Sequence, residues 1–308
     1  MNFLIALLAI ILLEAYSELG FVQGDNWLRR WNKSLSALGL GRQRVLGLAV
    51  FVAVPVILLQ LLLVSLAQHQ LGFVSFFLEL LILLYGLGRG NMDAQIALVT
   101  SDLKSDELQA AFHNIGVVDT SYREGRLETA EGIKEQIFAA LPYRMFERTF
   151  VVVFWFFFFG APAALAYRLL ALHGDLKLDA ALNASLDGSL DSSLKSSLHS
   201  SDDERLDSRR ESRAVKWLWL MEWLPARLLS LTLGLVGNFA QAAGATRRLL
   251  FSRSIGTSTF LRVAVFGALD QSQASDALTP QLTSDVVSLL GRAMTTWLVI
   301  IAVIVILA

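Results

Sequence analysis

Charged side chains that interrupt apolar stretches are the residues of this sequence best suited to chemistry. They are Glu14, Glu79, Arg168, Glu222 and Arg227. An isolated charge in hydrocarbon is costly, so such residues usually face the interior of a helix bundle and pair with one another. They therefore predict a polar pocket that holds a ligand or forms a relay. Interhelical ion pairing, or snorkelling of the arginines to a membrane surface, is the structural alternative.

Two of these charges flank a proline in "MEWLPARLLSL", residues 221–231. Glu222 and Arg227 lie five positions apart, which places them about 140° out of phase on a helix. Side chains that meet on a helix are three or four positions apart, so these two are not expected to pair with each other. We predict that the chain turns at Pro225 and that Arg227 pairs with Glu14 or Glu79 from another segment.

Other kinds of site have no sequence support. The chain has no cysteine, and its four histidines are far apart, so we expect neither a metal site nor a cofactor. The phosphate-binding motif GxxxxGK[ST] and the nucleophile motif GxSxG are both missing from the sequence. The formal net charge of −1 gives no indication of nucleic-acid binding.

The elements that must position these charges are apolar helices. The chain is 55% hydrophobic and 17% charged, whereas about a quarter of the residues of a soluble protein are charged. We therefore predict an all-α integral membrane protein with a bundle of four to six apolar helices and a small cytoplasmic helical subdomain. The apolar stretches cover approximately 2–17, 45–66, 72–88, 149–172, 215–238 and 293–308.

Basic residues orient this bundle. The stretches 18–44 and 89–148 are rich in Lys and Arg, whereas the connection between the second and third apolar stretches has neither. Basic loops face the cytoplasm, so we expect the subdomain to be cytoplasmic and the hairpin tip to lie outside. The predicted regions are 1–90, N-terminal membrane helices; 91–143, cytoplasmic subdomain; 144–172, a kinked or re-entrant segment; 173–214, a mobile Ser/Leu/Asp linker or a partner-binding amphipathic helix; and 215–308, C-terminal membrane region.

Three further patterns are carried by the stretches "MEWLPARLLSLTLGLVGNF", "LLEAYSELGFVQGDNWLRRWN" and "RTFVVVFWFFFFGAPAALAYRLLAL". Together they resemble the CobD/CbiB superfamily of membrane proteins, and its AmpE branch most closely. The cobinamide-forming enzymes of the superfamily carry an Asp-Thr pair, which Asp119 and Thr120 resemble. They also carry Asn- and Asp-containing runs around the fourth segment, and this chain lacks them. The resemblance therefore favours the AmpE branch.

The resemblance implies a regulator or sensor in the bacterial inner membrane, linked to β-lactamase induction and cell-wall stress. An adenosylcobinamide-phosphate synthase, which joins an amino-alcohol phosphate to a corrinoid carboxylate, is the alternative, and a small transporter is a third. Expected partners are the lipid bilayer, a small-molecule ligand, and a membrane or cell-wall protein. A homo-oligomer is compatible with this interpretation.

Overall fold

The computed structural model describes residues 2–15, 26–37, 46–87, 141–173, 200–252, 255–270 and 280–307, with isolated positions between 97 and 110. Every regular element in this part of the chain is a helix, which confirms the predicted all-α class. Most of the cytoplasmic subdomain predicted for 91–143, including Asp119 and Thr120, lies outside the described residues, as does 174–199 of the predicted linker.

The N-terminal helices are α1 (Asn2–Ala15), α2 (Asn26–Ala37), α3 (Leu46–Gln68) and α4 (Gly72–Gly86). The central pair is α5, which comprises 141–145, Phe146–Phe150 and Val151–Phe159, and α6, which covers 161–173. The C-terminal helices are α7 (Ser200–Val236), α8 (Phe239–Thr246), α9 (Thr257–Ala268) and α10 (Pro280–Leu307). Because α7 begins at Ser200, the C-terminal part of the predicted linker is helical.

Two helices in the described part of the chain are long and apolar enough to cross a membrane, by length and composition: α3 and residues Ser284–Leu307 of α10. Two shorter apolar helices, Asn2–Leu13 and Gly72–Gly86, accompany them. A tight turn at 69–71 joins α3 to α4, and the Leu71 N–H donates to the Leu66 carbonyl at 3.0 Å. The two helices therefore form a hairpin, and its open end contains the start of α3 and the end of α4.

The central helix α5 contacts α1, α4 and α7. Its residues Phe146–Phe150 form a π-helical turn. The helix ends at Gly160, where φ is 77° and ψ is −172°, a conformation that is essentially restricted to glycine. The Gly160 N–H still donates to the Phe156 carbonyl at 2.8 Å. The apolar stretch 149–172 is thus two helices separated at Gly160.

Pro225 lies inside α7, which continues as a helix to Val236. The predicted turn at Pro225 is therefore wrong. Proline has no backbone N–H, so it cannot donate to the carbonyl of Met221, four residues earlier. The indole Nε1 of Trp155, from α5, donates to this carbonyl instead at 3.2 Å. A side chain from another helix replaces the missing backbone hydrogen bond, and this lets α7 pass through the proline.

The C-terminal helices pack closely around α7. A Cβ added to Gly267 of α9 would lie 2.9 Å from the Ala242 Cα of α8, so only a glycine permits this approach. On the α10 side, the Trp297 indole Nε1 donates to the Thr232 hydroxyl at 2.9 Å, and that hydroxyl donates to the Leu228 carbonyl at 2.9 Å. The first contact holds α8 against α9, and the second ties α7 to α10.

Candidate functional site

The carboxylate of Glu222 lies at a junction of three helices. Glu222 is on α7 and is only 2% exposed. The Tyr143 hydroxyl from α5 donates to its Oε1 at 2.9 Å, and the Tyr167 hydroxyl from α6 donates to the same oxygen at 3.2 Å. A buried carboxylate needs such donors, because desolvation without hydrogen bonds is costly. Glu222 therefore connects segments that are far apart in the sequence.

A second buried carboxylate lies close by. Glu147, in the π-helical turn of α5, is 4% exposed. Its Oε2 accepts a hydrogen bond from the Arg144 Nη1 at 2.6 Å, which makes an ion pair between residues three positions apart. Burial chiefly, and then the charges of Glu222 and Glu147, raise the pKa of Tyr143 well above its usual value. Tyr143 therefore stays protonated and remains a donor to Glu222.

We refer to Tyr143, Arg144, Glu147, Tyr167 and Glu222 as the tyrosine–carboxylate cluster. Thr257 of α9 brings a third buried hydroxyl within reach of the Glu222 carboxylate. Hydrogen bonds that converge on one buried carboxylate are expected to rearrange when the proton or charge distribution of the cluster changes.

Arg227 makes a different set of contacts from the predicted ion pair. Its guanidinium carbon lies 5.0 Å from the centroid of the Trp223 ring and 4.3 Å from that of Phe260, and its Nε donates to the Leu250 carbonyl at 3.1 Å. Within the described part of the chain, no carboxylate forms an ion pair with it. Aromatic faces stabilise a cation by about 0.5–2 kcal/mol, so stacking takes the place of a carboxylate partner.

Of the remaining candidate residues, the structure describes the side chains of Glu79 and Arg168. Glu79 is half-buried on α4. Arg168 is 4% exposed on α6, and its charge acts on the Tyr85 hydroxyl of α4. Glu14 belongs to α1, but its side chain lies outside the described residues. Of the five charges that predict a pocket, the structure therefore places Glu222 in the tyrosine–carboxylate cluster, with partners that the sequence did not single out.

Sequence reasoning missed these partners because it considered only charges within apolar stretches. Arg144 and Glu147 precede the fourth stretch, and the tyrosines are neutral. One signal was present: Arg144 and Glu147 have the i, i+3 spacing of a helical ion pair directly before an apolar run. Among the residues described, no three His, Asp or Glu side chains are grouped to hold a metal ion.

The chain was also compared with known proteins. No protein-family model, curated protein or solved structure matches it.

Proposed function

We propose that this chain is a multi-pass protein of the bacterial inner membrane that acts as an AmpE-like regulator or sensor linked to β-lactamase induction and cell-wall stress. Its bundle would contain four to six membrane helices, and residues 91–143 would be cytoplasmic. The tyrosine–carboxylate cluster is the proposed sensing element.

Exposed apolar surface supports the membrane location. Only 11% of the most apolar stretch of α3 is buried within the protein. In a soluble protein, a core helix of similar length and apolar composition is mostly buried. Soluble monomers rarely expose apolar patches larger than a few hundred Å². In a membrane, lipid would cover the exposed apolar side chains of α3 and α4. Large side chains exposed on α3 and α4 include Ile57, Leu58, Leu61, Leu62, Phe73 and Phe77.

The observation that carries the proposal is contact between two of the stretches that resemble the superfamily. Tyr167, from "RTFVVVFWFFFFGAPAALAYRLLAL", donates to Glu222 of "MEWLPARLLSLTLGLVGNF". Trp155 of the first stretch donates to the Met221 carbonyl of the second. Tyr167 and Glu222 thus join α6 to α7, and Trp155 joins α5 to α7 at the carbonyl that Pro225 leaves without a donor. This supports a role for them beyond membrane insertion.

The cluster also suggests how a signal would pass through the protein. Protonation of Glu222 would remove the charge of the acceptor that Tyr143 and Tyr167 share and so weaken both hydrogen bonds, and a polar ligand could take them over. Since these tyrosines lie on α5 and α6, the positions of both helices relative to α7 would change. This movement would change the surface that a bound membrane or cell-wall protein contacts, and so change its binding.

Deletion and complementation test the proposal. We expect deletion of the gene to change β-lactamase induction after β-lactam exposure, and the wild-type gene to restore it. Glu222→Gln keeps the shape of the side chain but removes its charge, and we expect it to fail to complement at normal membrane abundance. Glu79→Gln is the matched control, because it makes the same chemical change outside the cluster.

Two results would contradict the proposal. Full complementation by Glu222→Gln would remove the cluster from the mechanism. Loss of corrinoid assembly on deletion, with an unchanged β-lactam response, would favour the adenosylcobinamide-phosphate synthase alternative.

A further inference from the structure

Helix α2 separates basic and apolar residues onto different faces. Leu28 is fully buried and Leu35 is 4% exposed, whereas Arg29, Arg30 and Lys33 are exposed to solvent. A short helix with Trp and Leu on one side and Lys and Arg on the other is typical of helices that lie in the plane of a membrane surface. The distribution of residues around α2 does not by itself locate the helix in the fold, but its contacts with α3 and α4 do.

The contacts of α2 place it at the open end of the α3–α4 hairpin. The Trp31 Nε1 donates to the Phe51 carbonyl of α3 at 3.3 Å. The ring centroid of Trp27 lies 6.1 Å from that of Tyr85, next to the last residue of α4. Phe51 and Tyr85 are both far from the turn at 69–71. Helix α2 therefore crosses the base of the hairpin.

The position of Phe51 along α3 indicates how deep in the membrane α2 lies. Phe51 lies five residues after the start of the helix at Leu46, which corresponds to about 8 Å at a rise of roughly 1.5 Å per residue. The whole of α3 would be about 34 Å long at the same rise, close to the roughly 30 Å of a bilayer hydrocarbon core. Interfacial helices are buried about 5–10 Å into the boundary of headgroups and acyl chains. The contact with Phe51 is at this depth.

We propose that α2 lies in the membrane–water boundary and that its basic face binds the phosphodiester groups of anionic phospholipids. This inference rests on the membrane location in the proposed function, but it does not depend on β-lactamase regulation. The exposed Arg30 and Lys33 side chains supply the positive charge. The half-exposed Trp27 side chain has an apolar ring and a polar N–H, a combination that suits the membrane–water boundary.

Spin labelling tests the position of α2, and the cysteine-free sequence allows single labels without background. Ser34→Cys reports on the exposed side of α2, and Leu62→Cys reports on the lipid-exposed face of α3. The full chain is reconstituted in nanodiscs of phosphatidylcholine with and without phosphatidylglycerol, and label depth is measured from collisions with oxygen and a nickel chelate. We expect residue 62 to lie in hydrocarbon and residue 34 at the level of the headgroups.

The two labels distinguish failure of the inference about α2 from failure of the membrane location. If residue 62 lies in hydrocarbon while residue 34 lies in bulk water, the inference about α2 is overturned and the membrane location stands. If residue 62 is outside hydrocarbon, the membrane location fails and the inference fails with it.

Charge variants test the lipid class. We compare Arg30→Gln/Lys33→Gln with the control Arg247→Gln/Arg248→Gln, which removes the same charge from another exposed segment. Preference for phosphatidylglycerol over phosphatidylcholine is measured by lipid competition on the purified protein. We expect the α2 variant to lose about fivefold of this preference per charge, the factor that corresponds to about 1 kcal/mol. An equal loss in both variants, or none in the α2 variant, would overturn the inference.

Discussion

The hydrogen bond from Trp155 to the Met221 carbonyl should be measurable through its dependence on Pro225. In the wild type, Trp155→Phe keeps an aromatic ring in place but removes the indole N–H, so the carbonyl loses its donor. A buried acceptor left without a donor costs about 1–3 kcal/mol, and the partly buried Met221 carbonyl should lie at the low end of that range. Pro225→Ala restores a backbone N–H that can donate to the same carbonyl. The same Trp155→Phe change should therefore cost less when residue 225 is alanine.

The double-mutant cycle isolates this one interaction. Loss of ring packing by Trp155→Phe occurs in both backgrounds and cancels, whereas loss of the hydrogen bond does not. We expect a coupling energy of about 1–2 kcal/mol, since hydrogen bonds between membrane helices contribute about 0.6–2 kcal/mol. The free energy of unfolding is measured in mixed micelles by circular dichroism, which does not depend on the number of tryptophans.

Trp219→Phe provides the control for this cycle. Its indole donates to the Ile255 carbonyl at 3.3 Å, which Pro225 does not affect. Coupling between Trp219→Phe and Pro225→Ala should be near zero. A Trp155 coupling no larger than that of Trp219 would refute the explanation of how α7 passes through its proline.

Three further predictions concern the backbone and the topology. Gly160→Ala should destabilise the protein by about 1–3 kcal/mol, because its φ of 77° strains other residues; no change in thermal midpoint would contradict this. Gly267→Ala should also destabilise, since its Cβ would meet the α8 backbone, whereas Gly244→Ala, with nothing within 4 Å, should gain up to about 1 kcal/mol in the same unfolding assay. A reporter fused within 91–143 should be cytoplasmic and one at 68–71 periplasmic; the opposite result would reverse the orientation.

The helical fold class could be predicted because it depends on local pattern. Long apolar stretches such as that of α3 indicate helices wherever they occur. The turn at Pro225 was predicted by an equally local rule, and it was wrong because the compensating donor lies 70 positions earlier in the chain, at Trp155. A rule for a single helix cannot include a donor from another helix, so the continuity of α7 required the packed structure.

The partners of Glu222 could not be predicted for a related reason. A tyrosine beside an apolar stretch resembles any interfacial aromatic residue, and nothing in its spacing shows that its hydroxyl meets a carboxylate. Tyr143 and Tyr167 reach Glu222 only because α5, α6 and α7 pack together. Arg227 shows the opposite case: the sequence predicts a carboxylate partner, whereas the guanidinium is stacked against Trp223 and Phe260.

The π-helical turn Phe146–Phe150 makes the cluster sensitive to insertion and deletion. It holds one residue more than an α-helical turn, so Tyr143 and Arg144 on one side are rotated relative to Trp155 on the other. Loss of a single residue would change that relation by about 100° and about 1.5 Å. Tyr143 could then not face Glu222 while Trp155 still reached Met221. A related chain could therefore gain or lose this cluster through the insertion or deletion of a single codon, with every polar side chain unchanged.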